Sequence, residues 1–181
     1  MSSGPTAKYR MQVMKILEKT YPDARCELHF ASPVQLLVSV ILSAQCTDKR
    51  VNMVTPGLFR KYPDAKAFAR ATQEEIEKAV HSTGFYRNKA KNIRLCCKAL
   101  VEKFGCSVPD TMEELLSLDG VGRKTANVIL NVAFGKNEGV CVDTHVLRLA
   151  GRLGLSQETT PEGIERDLMR LFPRERWGDL T

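Results

Sequence analysis

Apolar residues recur every three to four positions along most of this chain, and turn-forming residues interrupt them at short intervals. That is the period of short amphipathic helices. Over residues 6–20, Met11, Met14, Ile16 and Leu17 fall on one side with lysines elsewhere, predicting a helix that Tyr21-Pro-Asp ends. Ser32 followed by Pro33 is a helix start, because serine caps the first N–H groups and proline suits the first turn. The next stretch, Val34 to Leu42, is apolar nearly all round, the pattern of a helix buried by its neighbours. Polarity then rises at Ser43-Ala-Gln-Cys-Thr-Asp48, where Thr47 or Asp48 caps a helix running to about Phe59.

Tyr62-Pro-Asp breaks that helix, and Thr72 with Glu75 forms a capping box ahead of Ile76, Ala79 and Val80. A glycine turn at Thr83-Gly-Phe-Tyr-Arg-Asn88 opens a long helix carrying Ala90, Ile93, Cys97, Leu100, Val101 and Phe104, closed by Gly105. Thr111 and Glu114 cap a short helix bearing Leu115, Leu116 and Leu118, and Thr125 to Phe134 makes another. Val140 to His145 is extended up to a further helix start at Asp143, and Thr160-Pro161 begins a last helix with Ile164, Leu168 and Leu171 inward. The expected fold class is all-α, with roughly eight to ten short helices.

The chemistry concentrates in Leu118-Asp-Gly-Val-Gly-Arg-Lys-Thr-Ala-Asn. Gly120 and Gly122 flank Val121 between two helices, and glycine reaches a positive φ without a Cβ penalty. Such a hairpin leaves backbone N–H groups free at the start of the next helix, where they can hold a phosphate. Arg123, Lys124 and Thr125 stand on that first turn. A Gly-x-Gly turn with two basic residues could grip phosphate without any catalysis. Asp143, taken alone, is explained as a helix N-cap. Lys124 and Asp143 together also suit cleavage of an N-glycosidic bond. A carboxylate stabilises positive charge developing on the sugar, and a neutral amine attacks C1′ to form a Schiff base. Partial burial and a helix N-terminus are the two features expected to favour the neutral amine.

Charge and length narrow the partners. The 181 residues admit one domain or two small ones, and the net charge of +6 favours an acidic partner, nucleic acid first. Met1 to Thr6 lacks the apolar run of a signal peptide, and Val34–Leu42 is too short to span a bilayer. Cys26, Cys46, Cys96, Cys97, Cys106 and Cys141 fit no zinc or disulfide spacing, so reduced thiols in an intracellular protein are expected and no metal is assigned.

From about Tyr9 to Leu171 the chain resembles the endonuclease III family of helix-hairpin-helix DNA glycosylases. The segments that carry the resemblance are Phe30-Ala-Ser-Pro-Val-Gln-Leu-Leu, Leu42-Ser-Ala-Gln-Cys-Thr-Asp48, Thr83-Gly-Phe-Tyr-Arg-Asn-Lys-Ala90, Leu118 to Asn127 and Val142-Asp-Thr-His-Val146. The resemblance implies a six-helix barrel over residues 32–135, with the hairpin at about 112–134. It implies a second, discontinuous helical domain from residues 1–31 and 136–181, and an active site in the cleft between the two. Lys124 is then the Schiff-base nucleophile and Asp143 the essential carboxylate. Gln45 fills the gap left by an extruded nucleotide, and Phe85 stands where the family places an apolar wedge, often leucine. Extrusion costs a few kcal/mol, which such a plug and wedge offset. Phe85 is equally readable as a core residue, and His145 as a structural one. The DNA-contacting set is completed by Gly120, Val121, Gly122, Arg123, Thr125 and His145.

The implied activity is base-excision-repair glycosylase with β-elimination at abasic sites, on double-stranded DNA carrying oxidised or ring-saturated pyrimidines. A monomer inside the cell is expected, at the nucleoid in a bacterium, with no membrane association. The family's C-terminal Cys-x6-Cys-x2-Cys-x5-Cys segment for a [4Fe–4S] cluster is not matched in this sequence, so no cofactor is expected; the chain is either cut short of that segment, the favoured reading, or a cluster-less variant. Two alternatives stand beside it. A mismatch glycosylase of the same superfamily would lack the lysine and carry a glutamate on the central helix, where Ile41 stands here. A non-catalytic DNA-binding module would bind any duplex in a salt-sensitive way and cleave none.

Overall fold

The computed structural model describes residues 5–180 of the chain. Thr6 caps the first helix, α1 (Ala7–Thr20), by accepting the Tyr9 N–H at 3.3 Å. Ten α-helices and three short 3-10 turns follow one another among the described residues, with no strand. The chain is all-α, as its periodicity implies. By its internal contacts it divides into two units, one spanning Glu27–Gly135 and the other joining the segments before and after it.

The unit Glu27–Gly135 is built around α2 (Pro33–Ser43). Ser32 Oγ accepts the Gln35 N–H at 3.3 Å and Gln35 Oε1 accepts the Ala31 N–H at 2.9 Å, so both sides of this helix start are satisfied. Leu36, Leu37, Val38, Ile41 and Leu42 are buried, each worth about 1.5–3 kcal/mol for a fully buried side chain. Around α2 pack α3 (Asp48–Lys61), α6 (Tyr86–Lys103) and α8 (Arg123–Phe134). The shorter α4 (Ala65–Arg70) and α5 (Gln73–Val80) cover α6, and α7 (Met112–Leu116) packs on α8. The periodicity misses α4, a single capped turn and a half that Asp64 starts by accepting the Ala67 N–H at 2.8 Å. The capping box at Thr72 and Glu75 forms as expected, with Glu75 Oε2 accepting the Thr72 N–H at 2.9 Å. Asn52 on α3 accepts the His29 N–H and donates to the Glu27 carbonyl, at 2.9 and 2.8 Å, tying the entry segment to that helix.

The other unit holds α1, α9 (Thr144–Arg152) and α10 (Pro161–Leu171) around a core of Val13, Met14, Val140, Val142, Ala150, Leu155, Ile164, Leu168 and Phe172. Met11 and Ile16 do not join it. They are 62 % and 55 % exposed, whereas Val13, Met14 and Leu17 form the stripe of α1 that packs into this core. Tyr9 Oη donates to the Leu153 carbonyl at 3.0 Å, and Trp177 Nε1 donates to the Phe172 carbonyl at 2.9 Å. No helix among the described residues is long and apolar enough to cross a membrane.

Candidate active site

The hairpin begins where Thr111 Oγ1 accepts the Glu114 N–H at 3.4 Å and starts α7. After α7 the Val121 N–H donates to the Leu118 carbonyl at 3.2 Å, closing the turn over buried Leu118 and Val121. Gly120 takes φ +77°, which a side chain would resist, whereas Gly122 is extended at φ −93° and ψ 175°. Only the first glycine is therefore required by a left-handed backbone. Gly122 acts differently: it is the N-cap of α8 and brings no capping side chain, so none covers that helix start. Arg123 and Lys124, both exposed, occupy the first two helical positions, and half-buried Thr125 follows.

Lys124 stands in the field of Asp48, at the first position of α3. Burial pushes the Asp48 carboxyl up, Glu27 adds to that, and Lys124 pulls it back down. Thr47 is the cap of α3, its hydroxyl accepting the Arg50 N–H at 3.3 Å, so Asp48 is left free of that duty. From the sequence, Asp48 is readable only as a possible cap. Its proximity to the lysine is a tertiary fact, since 76 positions of chain separate them and no spacing signals it. The expectation of partial burial around Lys124 does not hold, for its side chain is exposed at the start of α8.

Two further turns of the same unit carry the plug and wedge candidates. Gln45 has φ +51° and Phe85 has φ +46°, both in the left-handed region without being glycine. Such a backbone costs of order 1–3 kcal/mol and collects at functional positions. Gln45 is exposed, and Phe85 is 64 % exposed, which removes the alternative of a core residue. Phe85 follows Gly84 at φ +70° and caps α6 with no side-chain bond.

Asp143 belongs to the other unit and is the N-cap of α9. Its Oδ1 accepts the His145 and Val146 N–H groups, both at 2.8 Å. Oδ2 has no hydrogen bond among the described residues, so one carboxylate oxygen is left over after capping. His145 is exposed on the first turn of α9, with Nδ1 3.4 Å from Arg148 Nη2.

The cysteines present offer no site for the iron–sulfur cluster that the resemblance implies. Cys96, Cys97 and Cys141 are buried, and burial pushes the Cys96 thiol up to about 12 and Cys97 higher still. Both lie packed on the core side of α6, with no opening for a cluster beside them among the described residues. No group of three or more His, Cys, Asp or Glu is arranged for a metal among the described residues. The residues present do not fit the group, and no step of the reaction is routed through it.

A family profile described as HhH-GPD superfamily base excision DNA repair protein matches residues 38–174. The endonuclease III of Synechocystis sp. is 60% identical over 170 residues, covering 94% of this chain and 78% of that protein. The chain belongs to the endonuclease III family. The Bacillus subtilis endonuclease III is 46% identical over 158 residues, covering 87% of this chain and 72% of its own. Among solved structures, a trapped endonuclease III–DNA covalent intermediate superposes with TM-score 0.93 at 42% identity, over 97% of this chain and 83% of that one. A thermostable thymine-DNA glycosylase shares the fold at TM-score 0.82 and 21% identity, over 96% and 82%. As a member of this family the chain is a base-excision-repair enzyme, a DNA glycosylase with abasic-site lyase activity.

Proposed function

We propose that Lys124 is the nucleophile and Asp143 the essential carboxylate in excision of oxidised or ring-saturated pyrimidines from double-stranded DNA. The observation that carries this reading is the exposed lysine on the first turn of α8, delivered by a hairpin whose helix start has no capping side chain. The similar endonuclease III that was trapped covalently on DNA supports a reaction that passes through a protein–DNA covalent bond.

The Lys124 amine attacks C1′ of the damaged nucleotide. The C1′–N glycosidic bond breaks, its electron pair leaves with the base, and the base takes up a proton. The uncapped oxygen of Asp143 stabilises the positive charge that the sugar carries at that moment. Ring opening gives a protonated imine between Nζ and C1′, which acidifies C2′. Loss of a C2′ proton then expels the 3′ phosphate and breaks the strand on that side. The amides at Gly122 and Arg123, with Thr125, grip the backbone phosphate, and His145 contacts DNA at the start of α9. Gln45 and Phe85 enter the duplex to fill the gap and part the opposite strand, an apolar wedge that is bulkier than the family's usual leucine. The protein acts as a monomer inside the cell.

Borohydride trapping on a duplex with one abasic site tests the assignment. Wild type gives a covalent protein–DNA band and Lys124→Ala gives none, with duplex binding retained. A band of undiminished strength from Lys124→Ala would assign the nucleophile elsewhere.

A further inference from the structure

Lys89 takes no part in the chemistry above, yet it is buried, at 4 % exposure. A lysine is almost never buried unless its ammonium is hydrogen-bonded or paired. Its Nζ donates to the Thr83 carbonyl oxygen at 2.7 Å, and its backbone N–H donates to the Phe85 carbonyl oxygen at 3.1 Å. One residue thus holds the carbonyls on either side of Gly84, at φ +70°, and of Phe85, at φ +46°. Thr83 is itself fixed by donating from Oγ1 to the Val80 carbonyl at 2.8 Å. The 3-10 turn His81–Thr83 packs against α3, the helix that begins directly after the Gln45 turn.

The Gln45 turn is linked to this one through α3, which packs against residues 81–83. Burial pushes Lys89 down, and Cys46, next to Gln45, offsets part of that; no carboxylate contributes. A buried cation without an acidic partner is a costly way to fill space, since methionine would pack there without the desolvation penalty. Its ammonium fits a clamp on the Thr83 carbonyl, which a left-handed, non-glycine turn would otherwise relax away from, while the bond from its backbone N–H to Phe85 is the ordinary first bond of α6.

We propose that Lys89 is a positioning residue that locks the Thr83–Phe85 turn in its left-handed form, so that Phe85 is presented to the duplex already in its entering conformation beside the Gln45 turn. The proposal rests on the reading of Phe85 and Gln45 as the residues that enter DNA. Holding them before contact removes the ordering cost from the extrusion step.

The test compares wild type, Lys89→Met and Lys89→Arg, with Phe85→Ala and Gln45→Ala alongside. Backbone hydrogen exchange over residues 43–47 and 83–86 reads the turns directly. Excision from a duplex lesion is measured against trapping on a single-stranded abasic oligonucleotide, where nothing has to be extruded. Lys89→Met is expected to raise exchange in the 83–86 turn and to lower the duplex to single-strand activity ratio by at least about tenfold. Lys89→Arg, which keeps the charge and the donors, recovers most of both. Unchanged exchange in Lys89→Met, or an equal loss on the two substrates, overturns the proposal. Wild-type duplex excision by both Phe85→Ala and Gln45→Ala would instead overturn the insertion reading, and exchange still separates the two failures. If Lys89→Met loses its helical circular dichroism, Lys89→Gln, a neutral donor of shorter reach, is read in the same way.

Discussion

Gly120 of the hairpin lies directly against Asn92 on α6: a Cβ built on Gly120 would fall 2.7 Å from the Asn92 Cβ. The hairpin that carries Lys124 is therefore seated on the long helix that Phe85 caps, and the seat admits no side chain. Two constraints meet at one glycine, a left-handed φ of +77° and a backbone approach that leaves no room. Gly120→Ala is expected to destabilise the protein by about 2–5 kcal/mol, the sum of left-handed strain and overpacking. Gly122, with φ outside the left-handed region and nothing within 4 Å of its Cβ, is the control. Gly122→Ala should cost less, about 0.5–1 kcal/mol in urea unfolding, because alanine is a poorer N-cap than glycine but meets no strain or clash there. Equal costs at the two positions would refute this account of the hairpin.

Asp143 combines a structural and a chemical duty that two substitutions separate. Asn caps a helix about as well as Asp, whereas Ala loses the cap at a cost of about 1 kcal/mol. Asp143→Asn is thus expected to melt like wild type, and Asp143→Ala lower. Both should lose excision activity, on the order of 10²–10³-fold, because neither carries the charge. Full activity in the thermally intact Asn variant would reduce Asp143 to a cap.

Asp48 gives a pH signature. Its folded carboxyl is raised above 3.8 by burial and by Glu27, so the folded state holds the proton more tightly than the unfolded chain. The stability that comes with this proton is complete below the unfolded value and is lost as pH rises through the folded one. Asp48→Asn mimics the protonated form and has nothing to lose. Its advantage over wild type should grow from about pH 3 to about pH 7 in denaturant unfolding. Removing the Lys124 charge should move wild type's loss to higher pH, since Lys124 is what lowers Asp48. An advantage larger in acid would contradict the burial argument.

The cysteines should divide by burial when alkylated in the native protein. Cys26, Cys46 and Cys106 are partly exposed, while Cys96, Cys97 and Cys141 are buried. The first three are expected to react with iodoacetamide under native conditions, and the second three only on unfolding. Mass spectrometry of peptides counts them, and early labelling of Cys96 would show that the helix α6 opens readily.

The local sequence determined most of the elements. Ser32-Pro33, Thr72 with Glu75, Thr111, Asp143 and Thr160-Pro161 each start a helix where their side chains predict one, because capping acts within three or four residues. The Gly-x-Gly turn with Lys124 was legible for the same reason. What lay beyond the sequence is what depends on partners far along the chain. Met11 and Ile16 fit a helical stripe but found no neighbour to bury them, and burial is decided by the other helices rather than by periodicity. Gln45 and Phe85 take left-handed conformations that their own side chains disfavour, which no local rule announces. Asp48 reached Lys124 only once α3 and α8 had packed on α2. Capping and turn chemistry are short-range and can be read in order, while charge proximity, burial and strain exist only after the chain has closed on itself.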